Sequence, residues 1–191
     1  MVSACWMRFS PAIVMASWSV GMGASLRGAR RGCSPARNKA SLHASEKTVG
    51  NSVVDRAHPD GASNIQFVDT SKCFTSAGFV TSAKMYIGSA STGGRMQIYT
   101  PTGGSNYKLK AESEVFNLPT GLHTKAFANP MAVAAGDCVG WYHSGAGFID
   151  YDSGGNAVRW NYGHHGVGTT INFDGSGART YAYSVNKVSG F

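Results

Sequence analysis

From Phe74 onward the chain is built of short runs in which apolar and polar residues alternate. The runs read GFVTSAKMYIG (78–88), RMQIYT (95–100), YKLKA (107–111), SEVFNL (113–118), LHTKAFA (122–128) and MAVA (131–134), then CVGWYH (138–143), GFIDY (147–151), AVRWNY (157–162), TTINF (169–173) and RTYAYSVNKV (179–188). A period of two puts successive side chains on opposite faces of a strand, and no stretch of this region holds a helical period of useful length. Between the runs lie STGG (91–94), PTGG (101–104), DSGG (152–155) and DGSG (174–177), which supply the positive-φ residues that tight hairpin turns require. The pattern predicts an all-β domain over 65–191, with about eight to ten strands in an antiparallel two-sheet β-sandwich of the jelly-roll kind.

Alternation also sorts the side chains. Tyr181, Tyr183 and Val185 share a face, as do Met96 and Ile98 against Gln97 and Tyr99. In AVRWNY the set Val158, Trp160 and Tyr162 is expected to point into the core, opposite Ala157, Arg159 and Asn161. Pro119 and Pro130 cannot donate to a ladder and are expected at strand edges or in loops. AAGDCVG reads as a tight turn feeding a buried strand, with the Asp137 carboxylate capping nearby amides.

Ahead of Ile65 the pattern disappears. An apolar run from about Pro11 to Met22 follows Arg8 and precedes the small residues Gly23, Ala24 and Ser25, the layout of a secretory signal peptide over 1–25. An organellar transit peptide is the competing reading, because residues 25–45 are rich in Arg and Ser and free of acids. Residues 26–64 lack an apolar period and are expected to form a disordered basic linker or propeptide.

Charge follows the same division. The formal net charge is +7, from 17 basic and 10 acidic residues. Six of the bases and none of the acids fall in 1–45, so eleven bases face ten acids in the rest of the chain. The domain therefore carries no clustered basic surface for phosphate contacts, and nucleic acid is not an expected partner.

Of the four cysteines, Cys5 and Cys33 lie in the leader and linker, leaving Cys73 and Cys138 in the domain. In an oxidising compartment these two are expected to form a disulfide joining the first strand to a central one; the alternative is a pair of buried free thiols. No C-x-x-C spacing exists for zinc or dithiol chemistry, and no cofactor is implied.

The densest chemistry lies in AGDCVGWYHSGAGFIDYDSGGNAVRWNYGHHG (135–166). His164 and His165 with His143 could form a metal set only if NYGHHGVG is a loop, and a solvated His pair is the expected outcome. Asp150 and Asp152 share a strand face and could offer hard oxygens to Ca²⁺, but a capping role for Asp152 in the DSGG turn and a solvated Asp150 explain them as well. Held on one side of a substrate, the same pair does not give a glycosidase its acid and base across the bond. There is no G-x-S-x-G elbow and no phosphate loop before a helix. Enzyme activity is not expected.

The succession GDCVGW (136–141), YDSGG (151–155), VRW (158–160) and S-G-x-R-T-Y-x-Y (176–183) resembles a module of large secreted multidomain proteins of marine invertebrates, over roughly residues 73–188. The resemblance implies an extracellular β-sandwich and supplies no catalytic residues and no ligand.

What remains is a recognition surface. Sugar binding combines an aromatic ring on the apolar face of a pyranose with polar groups on its hydroxyls. Trp141, Tyr142, Asp150, Tyr151, Asn156 and Arg159 are the candidates, which makes the expected function a secreted, non-catalytic, carbohydrate-binding or adhesion module whose partner is an extracellular glycan or matrix component. The alternative is a self-assembling module of a matrix or coat.

Overall fold

The computed structural model describes residues 46–189. The twelve strands in it are β1 Glu46–Gly50, β2 Ile65–Cys73, β3 Gly78–Ile87, β4 Ser91–Gly103, β5 Asn106–Glu112, β6 Phe116–Leu118, β7 Gly121–Val133, β8 Cys138–His143, β9 Tyr151–Tyr162, β10 Thr170–Asn172, β11 Gly175–Tyr181 and β12 Tyr183–Val188. No helix occurs among the described residues. A four-stranded sheet in the order β1-β12-β3-β7 faces an eight-stranded one, β10-β5-β4-β8-β2-β9-β11 with β6 alongside β4, and the pairings are antiparallel. Residues 46–189 form an all-β, two-sheet sandwich.

Strand parity builds the core as the alternation predicts. Phe67, Met96, Ile98, Val139, Trp141 and Val158 point inward from the large sheet and meet Val80, Met85, Ile87 and Val185 from the small one. Trp141, with no solvent exposure, lies at the centre, with ring centroids 5.2 Å from Phe67, 4.6 Å from Tyr181 and 5.1 Å from Tyr183. Such offset and edge-on pairs add to the burial of apolar area. The run RTYAYSVNKV is two strands rather than one: the chain leaves the large sheet after Tyr181 and joins the small one at Tyr183. Tyr181, Tyr183 and Val185 nevertheless all stay buried, so one inward face continues through the corner.

Several expected turns are strand irregularities instead. DSGG lies inside β9, where residues 154–156 bulge opposite the step from Ala178 to Arg179, with Gly154 and Gly155 at φ 92° and 88°. Both glycines serve a bulge rather than a hairpin. LHTKAFA and MAVA join into β7 through a bulge between Ala126 and Met131, which takes Pro130 out of the ladder as its missing N–H requires. STGG begins β4, where Ser91 and Gly94 pair with β6.

The domain also begins earlier than the sequence pattern indicates. Residues 46–64, expected to be linker, contain β1, which pairs with β12 from Glu46↔Val188 to Gly50↔Ser184. The segment after it forms a strap: the Asn51 amide donates to the Tyr183 carbonyl at 2.7 Å, and Arg56 pairs with Asp152 at 2.7 Å. Its order comes from polar bonds to the sandwich rather than from apolar periodicity, which is why no period marks it. The expected signal peptide and the linker up to residue 45 lie outside the described residues.

Candidate functional site

Cys73 and Cys138 form a disulfide between paired positions of β2 and β8. It sits beside the GDC turn, where Gly136 adopts φ 90° and the Asp137 carboxylate accepts hydrogen bonds from the Ala134 amide at 2.7 Å, the Thr100 hydroxyl at 2.6 Å and Lys110 at 2.5 Å. Burial pushes the Asp137 carboxyl up, but the bonds from Lys110, Thr100 and Ala134 outweigh it and hold the group below the usual carboxylate range. Asp137 is structural, as the turn predicts.

The six candidate ligand residues are not gathered on one surface. Trp141 is at the centre of the core and offers no face to a sugar. Tyr142 points to the opposite side of the large sheet, 7% exposed, donating to Asn64 Oδ1 at 2.9 Å under the His164 ring at 4.6 Å. Asp150, expected to be solvated, is 2% exposed. Burial, aided by the nearby carboxylates of Asp55 and Asp152 and opposed by the Arg56 amide, raises its carboxyl above the usual range. Asn156 turns inward and donates to Asn51 Oδ1 at 2.9 Å and Asp69 Oδ2 at 3.1 Å.

Tyr151 is half-buried in a ladder on the strap side. The Arg179 guanidinium lies 4.5 Å from the Tyr151 ring and 4.7 Å from the Trp160 ring, and Arg179 also pairs with Asp60 at 3.2 Å. Trp160 packs against the core, close to Gly175 and Gly177 of β11; a Cβ at Gly175 would come within 2.0 Å of its Nε1. Glycine is required there by close approach. Asp60 also accepts from the Tyr181 hydroxyl at 2.6 Å, so this residue of the strap is bonded to both Arg179 and Tyr181.

Tyr162 corrects the expected inward set. It has the same parity as Val158 and Trp160 but stands 65% exposed at the last position of β9, beyond the end of the β11 pairing. It is the large aromatic ring with the freest face among the described residues.

The histidines separate as well. His164 bonds Glu112 at 3.0 Å, His165 bonds Asn161 at 3.1 Å, and His143 is buried on the inner side with its Nδ1 at 2.6 Å from the Gly145 carbonyl. Among the described residues no group of three or more His, Cys, Asp or Glu is placed to hold a metal ion. Asp152, weighed for calcium, is committed to Arg56 and to the Ala57 amide at 3.0 Å, which together lower its carboxyl.

Arg159 alone of the six lines an open cleft. Opposite Ser176 on β11, it points away from the core together with Ala157 and Ala178. The cleft, of about 340 Å³, runs along the free margin of the large sheet and is completed by Thr70 and Gly155. Thr70 and Ser176 are not among the sequence candidates: Thr70 lies in β2, ahead of the first alternating run, and DGSG reads as a turn although 175–177 belong to β11. The signal lay in the parity of GSGA, where glycines at 175 and 177 leave room for Trp160 while Ser176 and Ala178 face outward. No protein-family model, no curated protein and no solved structure matches this chain.

Proposed function

We propose that the protein is a secreted, non-catalytic β-sandwich module that binds an extracellular glycan or matrix component. The observation that carries this reading is Tyr162, whose ring stands 65% exposed at the end of β9 on a rigid, disulfide-joined sheet. A free aromatic face on a fixed strand is what stacking on a pyranose requires. The disulfide is compatible with an oxidising compartment. Of the two acids weighed for catalysis, Asp152 is held by Arg56 and the Ala57 amide, and Asp150 is buried.

A glycan array followed by calorimetry with cell-wall polysaccharides tests the reading on the full chain. Binding that weakens in Tyr162→Ala is expected, and the absence of binding to every glycan overturns it.

A second reading, self-association, is favoured by the apolar groove that Phe79, Thr81, Pro130 and Val188 form on the outer side of the small sheet, where Phe79 is 39% exposed. Exposed apolar patches of this kind mark interaction surfaces. Sedimentation over a wide concentration range separates the two, because a monodisperse monomer at the highest concentration argues against assembly.

A further inference from the structure

The cleft along β9 and β11 has three properties that together define a ligand. Its floor is the backbone of two paired strands, fixed by the register Arg159↔Ser176 and Ala157↔Ala178. Its outward side chains are small, so the groove stays open to the edge of the sheet. Its polar groups are the Ser176 and Thr70 hydroxyls and the Arg159 guanidinium. Thr70 donates its proton to the Ala157 carbonyl at 2.8 Å and so faces a ligand as an acceptor, whereas Ser176 is solvent-facing and can do either.

Arg159 is the distinctive member. Its Nη1 donates to the Phe173 carbonyl at 3.3 Å, which ties one end of the guanidinium beside the cleft. Among the described residues it has no carboxylate partner, whereas Arg56, Arg95 and Arg179 are each paired with an acid. Asp174, just ahead of the facing strand β11, accepts a hydrogen bond from the Gly175 amide at 3.0 Å. A half-buried guanidinium tied at one end, with donors to spare and hydroxyls beside it, matches a planar anion set among hydroxyl groups.

We infer that the β9–β11 cleft binds an acidic sugar, with Arg159 taking the carboxylate of a uronic or similar acid residue and Ser176 and Thr70 bonding its ring hydroxyls. The inference rests on the glycan-binding reading and adds to it a second surface with its ligand class, since Arg159 and Tyr162 have opposite parity on β9. A carboxylate is favoured over a sulfate because one planar fork fits a planar anion, and the near-neutral domain offers no cluster of bases for a polysulfated chain. The volume of about 340 Å³ lies at the lower end of ligand sites and suits a single ring rather than an extended chain.

The test is calorimetry on the full chain with a hexuronic acid oligosaccharide, its carboxyl-reduced counterpart, a sulfated oligosaccharide of equal length and an acidic peptide. The uronic oligomer is expected to bind, and loss of the carboxylate to weaken it roughly tenfold to a hundredfold, the range for losing charge-assisted hydrogen bonds. Arg159→Lys, which keeps the charge and loses the fork, is expected to give a similar loss. So is Ala178→Phe, which fills the cleft from an exposed outward position and leaves Arg159 in place. Equal binding of the carboxyl-reduced sugar, undiminished binding in both variants, or preference for the sulfated sugar or the acidic peptide overturns the acidic-sugar assignment while the broader glycan reading stands. Failure of neutral and acidic glycans alike takes down both.

Discussion

The two faces of the eight-stranded sheet are built from the same strands and have opposite characters. Inward, Phe67, Met96, Ile98, Val139, Trp141 and Val158 form one continuous apolar layer closed by the small sheet. Outward, the residues between them divide. Val68, Tyr99, Leu109 and Cys138 carry a second apolar cluster with Ile171 and Phe173, while Ala157, Arg159, Ser176 and Ala178 border an open cleft. A sheet face becomes core only where something covers it: the outer face is apolar where the side chains of Ile171, on the sheet's own edge strand β10, and of Phe173 pack with Val68, Tyr99 and Leu109, and small and polar at the cleft. The sheet margin is therefore where a ligand can reach side chains fixed by strand geometry.

The largest expected break in this contrast is Trp141→Ala. Removing a fully buried indole that touches Phe67, Tyr181 and Tyr183 is expected to cost about 3–5 kcal/mol, measured by denaturant unfolding with the slope checked for two-state behaviour. Next comes the Cys73–Cys138 disulfide, which ties the neighbouring strands β2 and β8 of the eight-stranded sheet across a sequence separation of 65. Its removal in a Cys73→Ala, Cys138→Ala double variant is expected to cost about 2–4 kcal/mol by the same measurement. Changes at the cleft should do far less, because the strip they touch contributes little apolar burial.

Parity on β11 gives the sharpest form of the comparison. Gly175→Ala places a methyl into the Trp160 ring from the inner side and is expected to destabilise by about 1–3 kcal/mol through overpacking. Ser176→Ala, one residue along and facing the cleft, is expected to change stability by less than about 0.5 kcal/mol. Equal costs for the two would show that β11 does not hold the parity described.

How much of this was legible in the sequence depended on what kind of force orders each segment. Strand β8 is buried on both faces and has no period of two to mark Trp141 as core, whereas the inward set on β4 and at the β11–β12 corner was legible because apolar burial leaves such a period, as Met96/Ile98 and Tyr181/Tyr183/Val185 show. The strap 46–64 was not, because Asn51, Arg56 and Asp60 are held by side-chain and backbone bonds to residues about a hundred positions away, and such bonds leave no local pattern. DSGG was misread since a glycine pair at positive φ serves a bulge as well as a hairpin. Tyr162 shares its neighbours' parity, and its exposure at the end of β9 depends on what covers the sheet there, which alternation does not show. Of the six candidate site residues, Arg159 is at an open cleft because outward parity at a sheet margin leaves it uncovered, and the margin itself is a property of strand order that one sequence does not display.

Titration separates the two faces in a last and smaller way. On the inner side His143 is buried against Phe67 and Phe148, near Asp60 of the strap. Burial lowers its ionisation below the ordinary value of 6.5, outweighing the Gly145 carbonyl and Asp60, which favour the charged form. A depressed folded-state value means that stability is present above the unfolded value and is lost as the pH falls below it, because the unfolded chain takes up the proton first. On the outer side Asp137 is also depressed, so its contribution is lost only further into acid, through the carboxylate range. Asp69, raised chiefly by burial, works the other way: protonation there favours the folded state, so it offsets part of the Asp137 loss. Between pH 7.5 and 5.5 the fall in stability should therefore come from His143, at most about 1.4 kcal/mol per pH unit for one group. His143→Gln is expected to flatten that interval while leaving the steeper loss near pH 3 to 4, the ordinary aspartate range, unchanged. A slope that persists in the variant, measured by urea unfolding across the interval, would place the titrating group elsewhere than on the inner face.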